Sequence, residues 1–306
     1  MGTPSAPVPS TPEPQAAGQV TQLPTPRRRD RDLPLAIASG LALVVLLFGT
    51  LWLHPLAFVG LVVVLVVVGI AETGTVLRAR GVPVAVPVVI VGGLVMIVGA
   101  YFWGHTGQAL GLVVTFIGAA AWELADERRS KVVQRIATTL MLAVWVPLLA
   151  SFAALLARGY RLSPTQEPRN GWVLVIATIG VAAISDVGAY AVGTKFGRRK
   201  MAPTISPGKT WEGVVGGVGI AALLAALILP RLGAADVFAP WSAIVFAAIV
   251  SVAGVVGDLI ESMVKRDLGI KDFGALIPGH GGILDRVDGV LLALPTGYYA
   301  LVLLLS

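Results

Sequence analysis

Four aspartates stand where carboxylates are costly. Asp186 interrupts an apolar stretch in Ser185-Asp186-Val187-Gly188-Ala189-Tyr190, Asp258 sits near the end of a second stretch, and Asp285 and Asp288 open a third. An ionised carboxylate inside a membrane span costs roughly 2.5–3.5 kcal/mol on insertion scales, so such groups face a cavity, a partner or an ion. One alone could be half of a structural pair, for instance Asp285 with Arg286 of a neighbouring chain. Four on the same membrane side repel one another and call for a cation. Helical spacing gathers them further. Asp258, Ser262 and Lys265/Arg266 fall at i, i+4 and i+7/i+8, Asp285 and Asp288 at i, i+3, and Asp186 and Tyr190 at i, i+4, each set on one face. Three helix ends therefore present oxygen ligands. An oxygen-only set in a chain without Cys suits a hard cation such as Mg²⁺.

Basic residues accompany these carboxylates. Lys265, Arg266 and Lys271 lie in one loop, and Lys195, Arg198, Arg199, Lys200 and Lys209 in another. Pro278-Gly279-His280-Gly281-Gly282 leads directly into the last apolar helix. Glycines before a helix start expose backbone N–H groups to an anion, and the helix dipole assists. His280 either contacts a phosphate or shapes this turn. Carboxylates for a metal together with Lys and Arg for phosphates describe phosphoryl or nucleotidyl transfer. Gly208-Lys209-Thr210 looks like the end of a Walker A loop, but Pro203 stands where its first Gly belongs and no strand precedes it, so an ordinary P-loop is rejected.

The elements that must position these groups are membrane spans. Of the 306 residues, 56% are hydrophobic and 13% charged, about half the ~25% usual for a soluble domain. Mean hydropathy is +0.84. This composition excludes a soluble globule and, with no Cys, a disulfide scaffold or a cysteine-ligated metal site. The expected fold is an all-α polytopic integral membrane protein. Its apolar runs fall at about 35–53, 55–71, 83–102, 106–122, 136–157, 171–192, 213–230, 241–261 and 286–305, which gives nine spans. Residues 1–34 carry eight prolines and read as a disordered cytoplasmic tail. Residues 35–169 form an N-terminal group of about five spans, and 170–306 a catalytic group of about four. With the N-terminus inside, nineteen of the 23 Lys and Arg residues fall in cytoplasmic segments, leaving Arg158, Arg161, Arg169 and Arg231 outside. That asymmetry predicts a cytoplasmic N-terminus, an outside C-terminus and an active site facing the cytoplasm. It also explains the net charge of +6 without nucleic acid.

Other residues invite structural readings. His54 and His105 fall in outside turns. Glu72 and the segment from Glu123 to Arg135 read as solvated faces with i, i+4 pairing, and Gly213 and Gly217 as a close helix contact.

The run Ser262-Met263-Val264-Lys265-Arg266, Lys271-Asp272-Phe273-Gly274 and Ile277-Pro278-Gly279-His280-Gly281-Gly282-Ile283-Leu284-Asp285-Arg286-Val287-Asp288 resembles the signature of the phosphatidate cytidylyltransferase (CDP-diacylglycerol synthase) family. Ser185-Asp186, Ala189-Tyr190, Gly193, Phe196-Gly197 and Ser206-Pro207-Gly208-Lys209-Thr210-Trp211-Glu212-Gly213 resemble a second element of it, although a Lys is common there where Gly208 stands. The likeness covers residues 170–306, with the signature at 262–288. It implies transfer of the cytidylyl group of CTP to phosphatidate, giving CDP-diacylglycerol and pyrophosphate for phospholipid synthesis. It implies a multi-pass plasma-membrane enzyme, a homodimer, Mg²⁺ and K⁺ as a second cation. Asp258, Asp285, Lys265 and Arg266 would carry the chemistry, and Asp186, Asp258 and Asp285 the metal. Ser206, Lys209, Ser262, Lys271, His280, Gly281, Gly282, Asp288 and Tyr190 would contact substrates. A CTP-dependent lipid kinase would use a similar site but release CDP. A cation transporter would want carboxylates near the bilayer midplane and an internal repeat, and neither is visible.

Overall fold

Long apolar runs with few charges can satisfy their backbone in hydrocarbon only by coiling into helices. The computed structural model, which describes residues 33–127, 130–159, 171–232, 237–274 and 281–305, is built that way. The order is α1 (Leu33–Leu53), α2 (Pro55–Ala79), α3 (Val86–Trp103), α4 (His105–Ala125), α5 (Val132–Ala143), a π-helical turn (Val144–Leu148) and α6 (Leu149–Arg158). Then come α7 (Gly171–Phe196), strands β1 (Lys200–Ala202) and β2 (Ser206–Thr210), α8 (Trp211–Ile228), α9 (Pro240–Asp267) and α10 (Leu284–Leu305). Among the described residues eight helices are long and apolar enough to cross a membrane, with α5, the π turn and α6 counted as one; α1 contributes the shorter apolar stretch Ala42–Leu53. All nine expected runs are helical.

Helix starts and bends follow from local chemistry. His54 caps α2, its Nδ1 accepting from Leu56 N–H at 3.1 Å. Pro147 lies inside the π turn, whose wider winding accommodates a residue with no N–H to donate. It seats against Gly93, where a Cβ would come within 2.8 Å of the proline ring. His105 makes a 2.8 Å hydrogen bond with Gln108 and packs among Phe152, Tyr298 and Tyr299. Both histidines are structural, as expected.

Between helices in lipid there is little hydrophobic gain, so close backbone approach through small residues carries the packing. In the α3–α4 seam a Cβ on Gly107 would lie 2.1 Å from the Gly99 carbonyl carbon. In the α7–α8 seam Cβ atoms on Gly213 and Gly217 would lie 2.7 Å from Ala189 O and 2.4 Å from Ser185 O, so that pair packs as its spacing suggested.

Two features differ from expectation. Between α7 and α8 stands an antiparallel hairpin, pairing Lys200 with Thr210 and Ala202 with Ser206. Most described residues from Glu123 to Arg135 are exposed, as expected, but the ion pairs are not i, i+4. Arg135 instead reaches back across the α4–α5 connection to Glu123 at 2.6 Å and Asp126 at 2.7 Å, with the Glu123 side chain 8% exposed.

Candidate active site

The ends of α7, α9 and α10, the hairpin and one residue of α2 build the site. On α9, Asp258, Glu261, Ser262 and Lys265 follow one another around successive turns. Ser262 Oγ donates to Asp258 Oδ1 at 3.2 Å, and Lys265 Nζ donates to Glu261 Oε1 at 2.7 Å. Lys265 also reaches across to α10, donating to Asp285 Oδ1 at 3.0 Å. The Glu261 side chain is 0% exposed and that of Asp285 4%. The ammonium is therefore held between two carboxylates removed from solvent.

Asp285 has a second task. Its Oδ2 accepts from Phe273 N–H at 2.9 Å and from Gly282 N–H at 2.8 Å. One carboxylate oxygen thus ties the segment after α9 to the segment before α10. Gly281 has φ +83°, and a Cβ there would come within 3.0 Å of Asp285 Oδ2, so both conformation and space require glycine.

Glu72 joins them from the N-terminal half. It does not lie on a solvated face. Its Oε2 accepts from Ile283 N–H at 2.9 Å, 211 positions further along the chain. Cβ atoms on Gly274 and Gly282 would meet its carboxylate at 2.2 and 3.0 Å. Arg80, at the end of the same helix, donates to Leu268 O at 2.7 Å. Two of the backbone donors at the start of α10 thus face carboxylates of the chain itself, Asp285 and Glu72.

The hairpin brings a second ammonium. Lys209 on β2 pairs with Asp258 Oδ2 at 2.6 Å, while Arg266 Nε donates to Ile205 O in the hairpin turn at 3.2 Å. Glu212 fixes the hairpin base, its carboxylate accepting from Arg198 and Arg199 N–H at 3.1–3.2 Å. Thr210 caps α8, accepting from Gly213 N–H at 3.2 Å. Ser206 is half-buried on β2, whereas Lys271 and Tyr190 are exposed. Asp288 accepts from Gly289 N–H at 2.7 Å. The charges of Asp186, Asp258 and Asp288 act on one another, and Lys209 and Arg286 act on Asp186. His280 lies outside the described residues.

The donors fit a hard cation in kind: oxygens only, three carboxylates in mutual electrostatic reach, and an ammonium already resting on Asp258 and on Asp285. Among the described residues no three such groups close around a point. Mg²⁺ commonly sits on one or two carboxylates plus substrate phosphates, so an open set of this kind suits it.

Two residues escaped the sequence reading. Glu261 could have been found from its i, i+4 spacing to Lys265. Glu72 carries no local signal, because its partner lies at the other end of the chain.

Comparison with known proteins bears on this site. The profile of the cytidylyltransferase family matches residues 35–304. A phosphatidate cytidylyltransferase of Mycobacterium bovis is 33% identical over 289 residues, 90% of either chain. One from Mycobacterium tuberculosis (strain H37Rv) is 34% identical over 90% of this chain and 84% of its own length. One from Synechocystis is 32% identical over 88% of this chain and 96% of its own.

Proposed function

This chain belongs to the cytidylyltransferase family, and from that premise we propose how its site works on CTP and phosphatidate. The protein is a multi-pass membrane enzyme that transfers the cytidylyl group of CTP to phosphatidate, giving CDP-diacylglycerol and pyrophosphate. One observation carries the reading furthest: relatives matched over about nine-tenths of the chain are named for this reaction.

In the reaction an oxygen of the lipid phosphate attacks the α-phosphorus of CTP. One P–O bond forms and the bond to the pyrophosphate oxygen breaks. The attacking phosphate is already ionised, so no general base is required. Lys265 has three N–H donors and spends two on Glu261 and Asp285, leaving one for a phosphate oxygen. Lys209 spends one on Asp258 and keeps two. Ammonium groups fixed in advance stabilise charge on the departing pyrophosphate without reorganising. Arg266, tied to the hairpin through Nε, keeps its terminal N–H groups for the same purpose. Ser206, Ser262, Lys271, Tyr190 and Asp288 are assigned to substrate contact on the strength of the family signature they belong to. Asp258 and Asp285, with Asp186 nearby, would hold Mg²⁺, and a cation held there would supply Lewis-acid charge neutralisation to the triphosphate. The site faces the cytoplasm of a plasma membrane, where CTP is available, and the basic asymmetry of the loops supports this.

Purified protein incubated with labelled CTP and phosphatidate should yield CDP-diacylglycerol and pyrophosphate in equal amounts. Release of CDP with a newly phosphorylated lipid would indicate a kinase instead.

A further inference from the structure

A cavity of about 250 Å³ lies between α1, α2, α6, α7 and α10. Among the described residues that line it, Arg286 carries the only charge and all the others are apolar. It begins at the active site, where Ile283 and Arg286 belong to its wall. Ile283 is the residue whose N–H Glu72 holds, and a Cβ on Gly69 would touch its side chain at 3.9 Å. It ends at Phe58, four residues past the α1–α2 turn. From Gly69 to Phe58 is eleven residues, or about 16 Å of helix. That is about half the ~30 Å hydrocarbon core, on the side toward the α1–α2 turn.

We propose that this groove holds one acyl chain of the phosphatidate substrate, with Arg286 at its head-group end and Phe58 at its floor, so that the N-terminal helices set which chain lengths are accepted. The inference rests on the reaction assigned above. Its occupant follows from length and charge: an apolar slot about 16 Å long that begins beside the Lys265–Asp285 pair and carries one cation, Arg286, in its wall matches an anionic lipid with its tail running from the site toward Phe58. The second tail remains in the bilayer. Ala183, on the α7 wall, is exposed toward this space, so a larger side chain there fills the groove without overpacking the core.

The test uses the full-length protein in lipid nanodiscs and a phosphatidate bearing a diazirine at the end of one acyl chain. Photolysis should place the crosslink near Phe58, and a diazirine beside the carbonyl should move it to the Ile283–Arg286 region. Crosslinks confined to outward-facing residues such as Val64 and Val215 would overturn the proposal. In parallel, Ala183→Phe should raise KM for dipalmitoyl phosphatidate about tenfold, the scale on which apolar pockets discriminate short stretches of chain. KM for dioctanoyl phosphatidate and for CTP should not move. An unchanged chain-length profile counts against the groove. Correct crosslinks without any CDP-diacylglycerol would sink the reaction and leave the lipid slot standing. Normal turnover with misplaced crosslinks would do the reverse.

Discussion

Lys265 sits between Glu261 and Asp285, and its removal would strand two buried carboxylates. Breaking a buried pair by deleting one partner typically costs about 3–5 kcal/mol. Lys265→Met should therefore lower Tm markedly as well as abolish turnover, whereas Lys271→Met, at an exposed position, should leave Tm unchanged. Asp285→Asn replaces one acceptor by an NH₂ group that cannot serve Phe273 and Gly282 N–H together with Lys265. It should cost roughly 10²–10³ in kcat, as loss of fixed transition-state electrostatics does. Asp258→Asn should do likewise, and the double variant should be little worse than either single, since groups acting as a unit are not additive. Near-normal turnover of Asp285→Asn would remove it from the metal and leave Asp186 with Asp288 as the next pair to test. Glu72 separates positioning from chemistry. Glu72→Gln keeps an acceptor for Ile283 N–H and should retain most activity, while Glu72→Ala leaves that donor unmet, a loss of about 1–3 kcal/mol. A steady-state comparison of the two variants, with Tm alongside, decides this.

At the scale of elements, Asp186 is placed by the α7–α8 seam. Gly217→Val would drive a side chain into Ser185 O, one residue from Asp186, and should pry the helices apart with loss of both Tm and activity. Gly219, two positions on, meets nothing within 4 Å, so Gly219→Ala should be tolerated and serves as the control. The nine apolar runs were legible because hydropathy over ~20 residues reports directly on what lipid permits. The Gly213 and Gly217 contact was legible from spacing alone. The hairpin was not: the stretch from Lys195 to Lys209 read as a basic loop, and the hairpin is held from outside by α9, where Arg266 meets Ile205 O and Asp258 meets Lys209. Arg135 was misjudged because i, i+4 arithmetic assumes one continuous helix, whereas the chain breaks between Ala125 and Val132 and lets it reach back to Glu123. Likewise the glycines before α10 suggested donors awaiting a phosphate, but sequence cannot show that Asp285 and Glu72 already meet two of those N–H groups.

For the whole molecule, the basic asymmetry predicts which side each loop occupies. The native chain has no Cys, so single cysteines report without background. Thr204→Cys in the hairpin should react with an impermeant thiol reagent only in inverted vesicles, and Thr106→Cys at the start of α4 only in intact cells. The opposite pattern would invert the orientation. The contact between Glu72 and Ile283 has one more consequence, for inheritance rather than catalysis. The carboxyl-terminal stretch holds almost every reactive group, yet part of its architecture is completed by a helix encoded more than two hundred codons earlier. Such a segment is poorly suited to travel alone by gene fusion or domain shuffling. Residues 170–306 expressed by themselves should be inert, and co-expression with 33–159 as a separate polypeptide should restore synthesis, because what the first half lends is a surface and not a covalent linkage.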